Sequence, residues 1–509
     1  MKFIKRSKFI KPVCLTLAIM TAVFGILTAC GSPEGGGAGS GDSKDSALKD
    51  KNELPAASED ATPDPRFAVK EEIPELDFKG RDFCIIYPTW SMYEYYYFAE
   101  SEIGEKMNDA IYRRTKNVEE RFNIKINPTT KGYIETVPPA VSKSVKAGSD
   151  DYQMVLTHCL KGVPEMSGEG LVYDWNKLPY VDFSKPWWNQ RMNETMSVDG
   201  ILLPAVSDFI IFDPNVIYFN KGMAQDLDLG DIYQVVKEGK WTWSKLTQFA
   251  KLASKDLNGD GLFDKEDQYG FVTNLAWMMN SAIQASDMYI SKIGDEGYPV
   301  NNLNNERFGV LIYTLYELIF EGNQSYLSSW DPNNLAAVYE SEIPMSSGRA
   351  LFHVDPLSAG GRYRTYEVEF GILPFPKYDD AQKEYLSLSW NGFMMIPRTA
   401  DPELAGAVSE ALAAESHRLT VPAYYDVLLT SKVARDVEST EMIDIIYKGA
   451  VYDFALNFGD WNAVTFAVDN ILNTKKTPDY VSFMEKNEPA FNKQMQKIYD
   501  KIRTNYAEG

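Results

Sequence analysis

From residue 82 onward, short apolar runs alternate with stretches whose apolar residues recur at helical spacing. Asp82–Tyr87 reads as a buried strand ending at Pro88-Thr89-Trp90. Glu105–Phe122 reads as a helix with Met107, Ala110, Ile111, Val118 and Phe122 on one face and Arg and Glu opposite. Ile124–Ile126 is a short strand, Thr136–Lys146 a helix, and Tyr152–Thr157 another strand. This β-α-β-α-β order implies a parallel sheet, whose ligands gather at the carboxyl ends of the strands. Trp90 and His158 lie just beyond two such ends.

Further on, Ile201–Val206 and Val216–Phe219 are strand-like and flank Asp208–Pro214. Thr242 is a fitting N-cap for a helix carrying Leu246, Phe249, Ala250 and Ala253 inward. Tyr269–Val272, Val368–Leu373 and Gly392–Pro397 read as strands. Glu306–Phe320 and Pro402–Glu415 read as helices, and the chain closes on a helical pattern through Phe491, Met495, Ile498 and Ile502.

The first 80 residues follow another logic. Lys2, Lys5, Arg6, Lys8 and Lys11 precede an apolar run that ends at Leu27-Thr28-Ala29-Cys30. A basic start, an apolar core and a small-residue exit make a secretory signal. It resembles the bacterial lipoprotein signal, which implies a signal peptide over 1–29 and a Cys30 that carries lipid such as palmitate; an uncleaved anchor is the alternative. Residues 30–75, rich in Gly, Ser, Asp, Glu and Pro, read as a flexible tether. The body is thereby expected on the extracellular face of the membrane. The formal charge of −21 becomes −26 without the five positive charges of the signal, which argues against nucleic acid as a partner. Once Cys14 and Cys30 are set aside, Cys84 and Cys159 remain, read as buried thiols rather than a disulfide.

Gly104–Phe122, Ile217–Gly222, Gly239–Leu246, Gly348–Phe352, Phe370–Pro376 and Gly392–Pro397, as an ordered set, resemble extracellular solute-binding protein family 1. This is the maltose-binding-protein-like group that serves ABC importers. The resemblance implies an α/β, two-lobed, periplasmic-binding-protein-like fold of type II. Each lobe would be a mostly parallel sheet flanked by helices, joined by hinge crossings near Leu203–Asp213, His353–Arg364 and Val421–Leu428. The N-terminal lobe would hold 82–207 and about 353–425, and the C-terminal lobe about 213–345 and 426–509. It further implies a monomer that closes on a polar solute, an oligosaccharide, and docks on ABC permease transmembrane subunits. A surface glycoside hydrolase and a sensory solute-presenting lipoprotein are the rival readings.

Sugars present flat C–H faces ringed by hydroxyls, so their sites pair Trp or Tyr with hydrogen-bonding side chains. With 10 Trp and 30 Tyr the chain is well supplied. Residues at strand ends or crossings are the ligand-binding candidates: Trp90, His158, Asp208, Trp277, Asn280, His353, Asp355, Trp390 and Asn391. Trp187, Trp188, Trp241 and Trp243 sit against helix starts and are assigned to packing. With only three histidines, and no Gly-x-Ser-x-Gly, His-Glu-x-x-His or Walker lysine, the sequence points to binding rather than catalysis.

One motif stands apart. Asp256, Asn258, Asp260, Leu262 (through its carbonyl), Asp264 and Asp267 fall at positions 1, 3, 5, 7, 9 and 12 of a loop with glycine at position 6. That is the spacing of a calcium loop, and it predicts a structural Ca2+. An Asp/Asn-rich turn without metal is the alternative. Position 12 is Asp instead of the usual Glu.

Overall fold

The computed structural model describes residues 65–509 apart from 90–95, 275–277, 329–338, 364, 430–436, 460–461 and 507–509. The expectations for the signal, Cys30, Trp90 and Trp277 therefore lie outside the described residues. Residues 63–509 form one compact unit. Its principal elements, in chain order, are β1 (Arg81–Tyr87), α1 (Lys106–Phe122), β2 (Ile124–Thr130), α2 (Val137–Lys146), β3 (Met154–Leu156), β4 (Asn215–Asn220), α3 (Trp243–Ala253), β5 (Tyr269–Asn274), α4 (Glu306–Phe320), β6 (Ser325–Ser328), β7 (Ala350–Pro356), β8 (Phe370–Leu373), β9 (Met394–Met395), α5 (Pro402–Glu415), α6 (Val421–Leu429) and α7 (Tyr480–Tyr506).

Local chemistry sets the helix ends. The Thr242 hydroxyl accepts from the Lys245 amide at the start of α3, and Asp401 accepts from Glu403 and Leu404 before Pro402 opens α5. α1 ends at Asn123, whose left-handed backbone (φ 50°) reverses the chain into β2. The inward face of α1 is Met107, Ile111, Arg114, Val118 and Phe122. Arg114 is the unexpected member. It is 1 % exposed, lies 4.6 Å from the Phe209 ring and donates to the Tyr97 carbonyl. Burial pulls its pKa down to about 9.

Two sheets result. The first has the order β9-β3-β1-β2, with β1 parallel to β2 and β3, and β9 antiparallel to β3. The second has the order β8-β4-β7-β5-β6. It is mixed rather than mostly parallel: β4 runs antiparallel to β7 and β8, while β5 is parallel to β7 and β6. Trp187, Trp188, Trp241 and Trp243 are buried as packing residues. Both Trp187 and Trp188 donate to the Glu410 carboxylate, at 2.9 and 2.8 Å, and burial lifts that carboxyl to about 7. Cys84 and Cys159 are free thiols.

Three expectations change. The folded body begins before residue 75. Ile73, Leu76 and Phe78 pack on the core, and Glu71 pairs with Arg418 at 2.6 Å and with Arg121. That stretch is held by one buried and one half-buried ion pair and by three spaced apolar side chains, which leave no periodic pattern to read. Ile201–Val206 is not a strand; it makes single bridges, Val198 with Ile201 and Ala205 with Met394. The crossing placed near His353 lies elsewhere. β7 and β8 both belong to the second sheet, so the chain returns to the first sheet only between Leu373 and Met394.

The last helix, α7, ties the periphery together. It packs against Val163–Gly168 and against the hairpin strand Pro299–Asn301. A Cβ on Gly168 would meet the tip of the Ile498 side chain at 2.9 Å, so glycine lets α7 approach without that side chain moving aside.

Candidate functional site

Topology alone points both sheets at one place. β4 starts at Asn215, directly after the first crossing, and Asn215 pairs with Pro356 at the end of β7. β5 and β6 run parallel to β7, so Asn274 and Ser328 end at the same edge. In the first sheet, β9 starts just after Trp390-Asn391 and pairs Met394 with Leu156 at the end of β3. The carboxyl ends of β3, β5, β6 and β7 therefore all face the crossings, where open α/β sheets place ligands.

The crossings are bolted together there. The Asp213 carboxylate, 6 % exposed, accepts from the Ser358 amide (2.7 Å), the Ser358 hydroxyl (2.6 Å) and Tyr424 of α6 (3.3 Å). Burial raises its pKa against the pull of these bonds. Its own amide donates to Asn391 Oδ1 at 3.1 Å, and Asn391 Nδ2 donates to the Ile211 carbonyl. Tyr447 donates to the Phe212 carbonyl at 3.2 Å.

Three of the sequence candidates lie on segments that end at or border the crossings. Trp390 is half-buried and donates its indole N–H to Ser281 Oγ at 2.9 Å. Neighbouring Asn280 donates to the Thr465 carbonyl at 2.8 Å. His158, half-buried just past β3, accepts from the Leu160 amide on Nδ1 (3.1 Å), which leaves the proton on Nε2. Burial lowers its pKa to about 4, so the ring is neutral. The adjacent Cys159 carbonyl accepts from Asn457 at 3.0 Å. The sequence reading passed over Thr465, Asn457, Asp453 and Gln284. Their one signal was polar residues inside otherwise apolar runs.

The other candidates are engaged elsewhere. Asn391 is 1 % exposed and spends its amide on the first crossing, so it is a hinge residue. His353 and Asp355, 2 % and 4 % exposed, lie beneath the short helix Gly360–Tyr363. His353 Nδ1 bonds Tyr363 at 2.5 Å; Tyr363 donates to Asp355 at 2.8 Å, and Arg362 pairs with Asp355 at 2.6 Å. Burial drives the His353 pKa down to about 3 and the Asp355 carboxyl up to about 7. The same strand positions that suggested a cleft put these side chains under a lid of tyrosines. Asp208 accepts from His417 Nδ1 at 2.6 Å; burial raises its carboxyl and that bond partly offsets the rise.

The Asp256–Asp267 loop turns through Gly259 and Gly261, at φ 74° and 78°. Asp256 accepts from both their amides (2.6 and 2.9 Å), and Asp260 accepts from Leu262 at 2.7 Å. Asp267 closes the loop, taking the amides of Leu257 and Asp264, each at 2.9 Å. Those bonds hold its carboxyl below the usual range. Among the described residues no three His, Cys, Asp or Glu side chains gather as a metal-holding group. The donor types still suit a hard cation, since each carboxylate oxygen has a second lone pair beyond the one given to an amide.

Two surface cavities of about 500 Å³ lie away from the junction. One runs along the outer face of α7 past Lys493, Lys497 and Lys501, and the other is lined by Arg191, Arg307, Asp379 and Glu384.

No family model matches the sequence, and no curated protein is similar to it. Solved structures are similar in fold. An ABC substrate-binding protein of Listeria monocytogenes in complex with cycloalternan superposes with a TM-score of 0.52 at 12 % identity, over 84 % of this chain and 100 % of its own. UspC of M. tuberculosis gives 0.55 at 11 % identity, over 81 % and 100 %. The GacH receptor of Streptomyces glaucescens, solved unliganded and in complex with acarbose, gives 0.53 at 11 % identity, over 82 % and 99 %. The fold is the two-lobed solute-binding fold. Within that fold, the segments just described connect the first sheet to the second.

The solute-binding fold makes one structural prediction. Asn391→Ala leaves the Ile211 carbonyl and Asp213 amide buried without their partner, at about 1–3 kcal/mol each. Urea unfolding should show a lowered midpoint; an unchanged midpoint would mean that Asn391 is not what ties the crossings.

Proposed function

We propose that this chain is a lipid-anchored extracellular receptor that binds an oligosaccharide between its lobes and delivers it to an ABC importer. The observation that carries the reading is the convergence of both sheets' strand ends on a half-buried tryptophan at the crossings. Cycloalternan and acarbose in the fold neighbours support a polar, sugar-like solute. Closure of two lobes about a hinge is the matching mechanism, and the closed form would dock on the permease. No bond is broken. The rival glycosidase would release product from the same solute.

Calcium and lipid belong to the same proposal. The Asp256–Asp267 loop is read as a clip that holds Ca2+ through Asp256, Asn258, Asp260, Asp264, Asp267 and the Leu262 carbonyl, with Asp267 shared between ion and backbone. Cys30 is read as the lipidated mature N-terminus, holding the body at the cell surface, with two or more acyl chains for stable anchoring.

A thermal-shift screen against gluco- and manno-oligosaccharides should find a ligand that raises Tm, by about 2.7 kcal/mol of added stability at a hundredfold excess over Kd. Calorimetry with that ligand should give one site, and Trp390→Ala should weaken it about tenfold to a hundredfold, by analogy with base–aromatic stacking. Scattering should show compaction on binding. Sugar product in the incubation, or no binding across the panel, would refute the receptor.

Chelation should lower the wild-type Tm, and Asp260→Ala should abolish the response. Equal melting with and without excess calcium in both proteins would leave the loop a plain turn.

Mass spectrometry of the native N-terminal peptide should find acylated Cys30; an intact Ala29-Cys30 peptide would exclude the anchor.

A further inference from the structure

Four buried side chains at the lobe junction share an unusual state. Asn280 and Gln284 stand four residues apart around the short helix Ser281–Ala285. Asp453 and Asn457 stand four apart around the short helix Phe454–Phe458. Asn280 Nδ2 donates to the Thr465 carbonyl (2.8 Å), Gln284 Nε2 to Asp453 Oδ2 (2.7 Å), and Asn457 Nδ2 to the Cys159 carbonyl (3.0 Å). Each of these partners is a carbonyl or carboxylate oxygen, which can only accept. The amides therefore cannot be turned end for end, and each side-chain oxygen is fixed as an acceptor. Among the described residues, Asn280 Oδ1, Gln284 Oε1, Asn457 Oδ1 and the Thr465 hydroxyl have no hydrogen-bond partner, and all four residues are at most 1 % exposed.

An unmet buried polar atom is costly, and four in adjoining residues call for donors from outside the protein. The seam draws on both lobes. Asn280 and Gln284 follow β5 of the second sheet, and Asn457 grips the segment after β3 of the first. Trp390 borders it through Ser281, next to Asn280. Three amide oxygens fixed as acceptors and one hydroxyl, with the Asp453 carboxylate alongside, welcome O–H groups and disfavour anions.

We propose that Asn280, Gln284, Asn457 and Thr465 are the specificity-determining residues of the groove. Resting on the oligosaccharide reading above, they select neutral polyhydroxyl ligands and reject acidic sugars. The acceptors read hydroxyl donors once the lobes have parted and the solute has entered; a carboxylate in their place would bring another acceptor and a like charge.

Thr465→Val is the decisive variant. It removes only the hydroxyl and keeps the backbone carbonyl that holds Asn280. Because that hydroxyl has no partner in the protein, Tm should stay equal or rise, while affinity for a bound neutral oligosaccharide falls about tenfold. Thr465→Ser, which keeps the hydroxyl, should retain wild-type affinity. Hexuronate oligomers of matched length should bind at least tenfold more weakly than their neutral counterparts. Wild-type affinity in Thr465→Val, or equal binding of hexuronate and neutral oligomers, would overturn the inference and leave the receptor reading intact. If no oligosaccharide binds the wild-type protein, the receptor reading itself fails and this inference falls with it.

Discussion

A single buried carboxylate, Asp213, holds the two lobes in register. The carboxylate draws on the segment after β7 through Ser358 and on α6 through Tyr424, while the backbone amide of Asp213 donates to Asn391 on the return crossing. Hydrogen bonds to a charged acceptor are about twice as strong as neutral ones, and in a low-dielectric interior they are stiff. Burial disfavours the charge and raises the carboxyl's pKa, and the donors around it offset only part of that rise. A junction of this kind concentrates the connection between the two sheets in a few backbone segments.

The rest of the site follows from that constraint. Because β4 leaves the junction and β7 returns to it, the second sheet must be mixed, and the carboxyl ends of β5, β6 and β7 have to face the crossings. β9 repeats the arrangement in the first sheet by pairing antiparallel to β3. Trp390 then lies where the two sheets meet, fixed by Ser281 and still half open. Aromatic surface beside fixed polar groups is the composition of a site for polar ligands with apolar faces.

The amide and hydroxyl seam beside Trp390 adds a second layer of selectivity. Orientation there is enforced chemically, since each amide N–H2 meets an oxygen that cannot donate. The His353–Tyr363–Asp355–Arg362 chain is organised in the opposite way: its groups satisfy one another beneath Gly360–Tyr363, and the chain stabilises the second lobe without facing the junction.

The sequence by itself determined the local elements. Helical spacing and capping residues gave α4 and α5 to the residue, and Thr242 was legible as the cap of α3, because these depend on neighbours within a turn or two. The packing role of the four tryptophans was legible for the same reason. Trp390, Asn280 and His158 could be placed near strand ends, but not which partners hold them, since Ser281 and Thr465 lie 109 and 185 residues from Trp390 and Asn280. Only the tertiary structure decided that Asn391 serves the hinge, that His353 and Asp355 are covered, and that Glu71 anchors the chain before residue 75. Those outcomes rest on bonds between distant segments, such as Asp213 with Ser358 and Glu71 with Arg418, whose partners no local pattern names. The sheet's mixed direction was likewise a tertiary outcome: hydrophobic alternation marks a strand but carries no information on which way its neighbour runs.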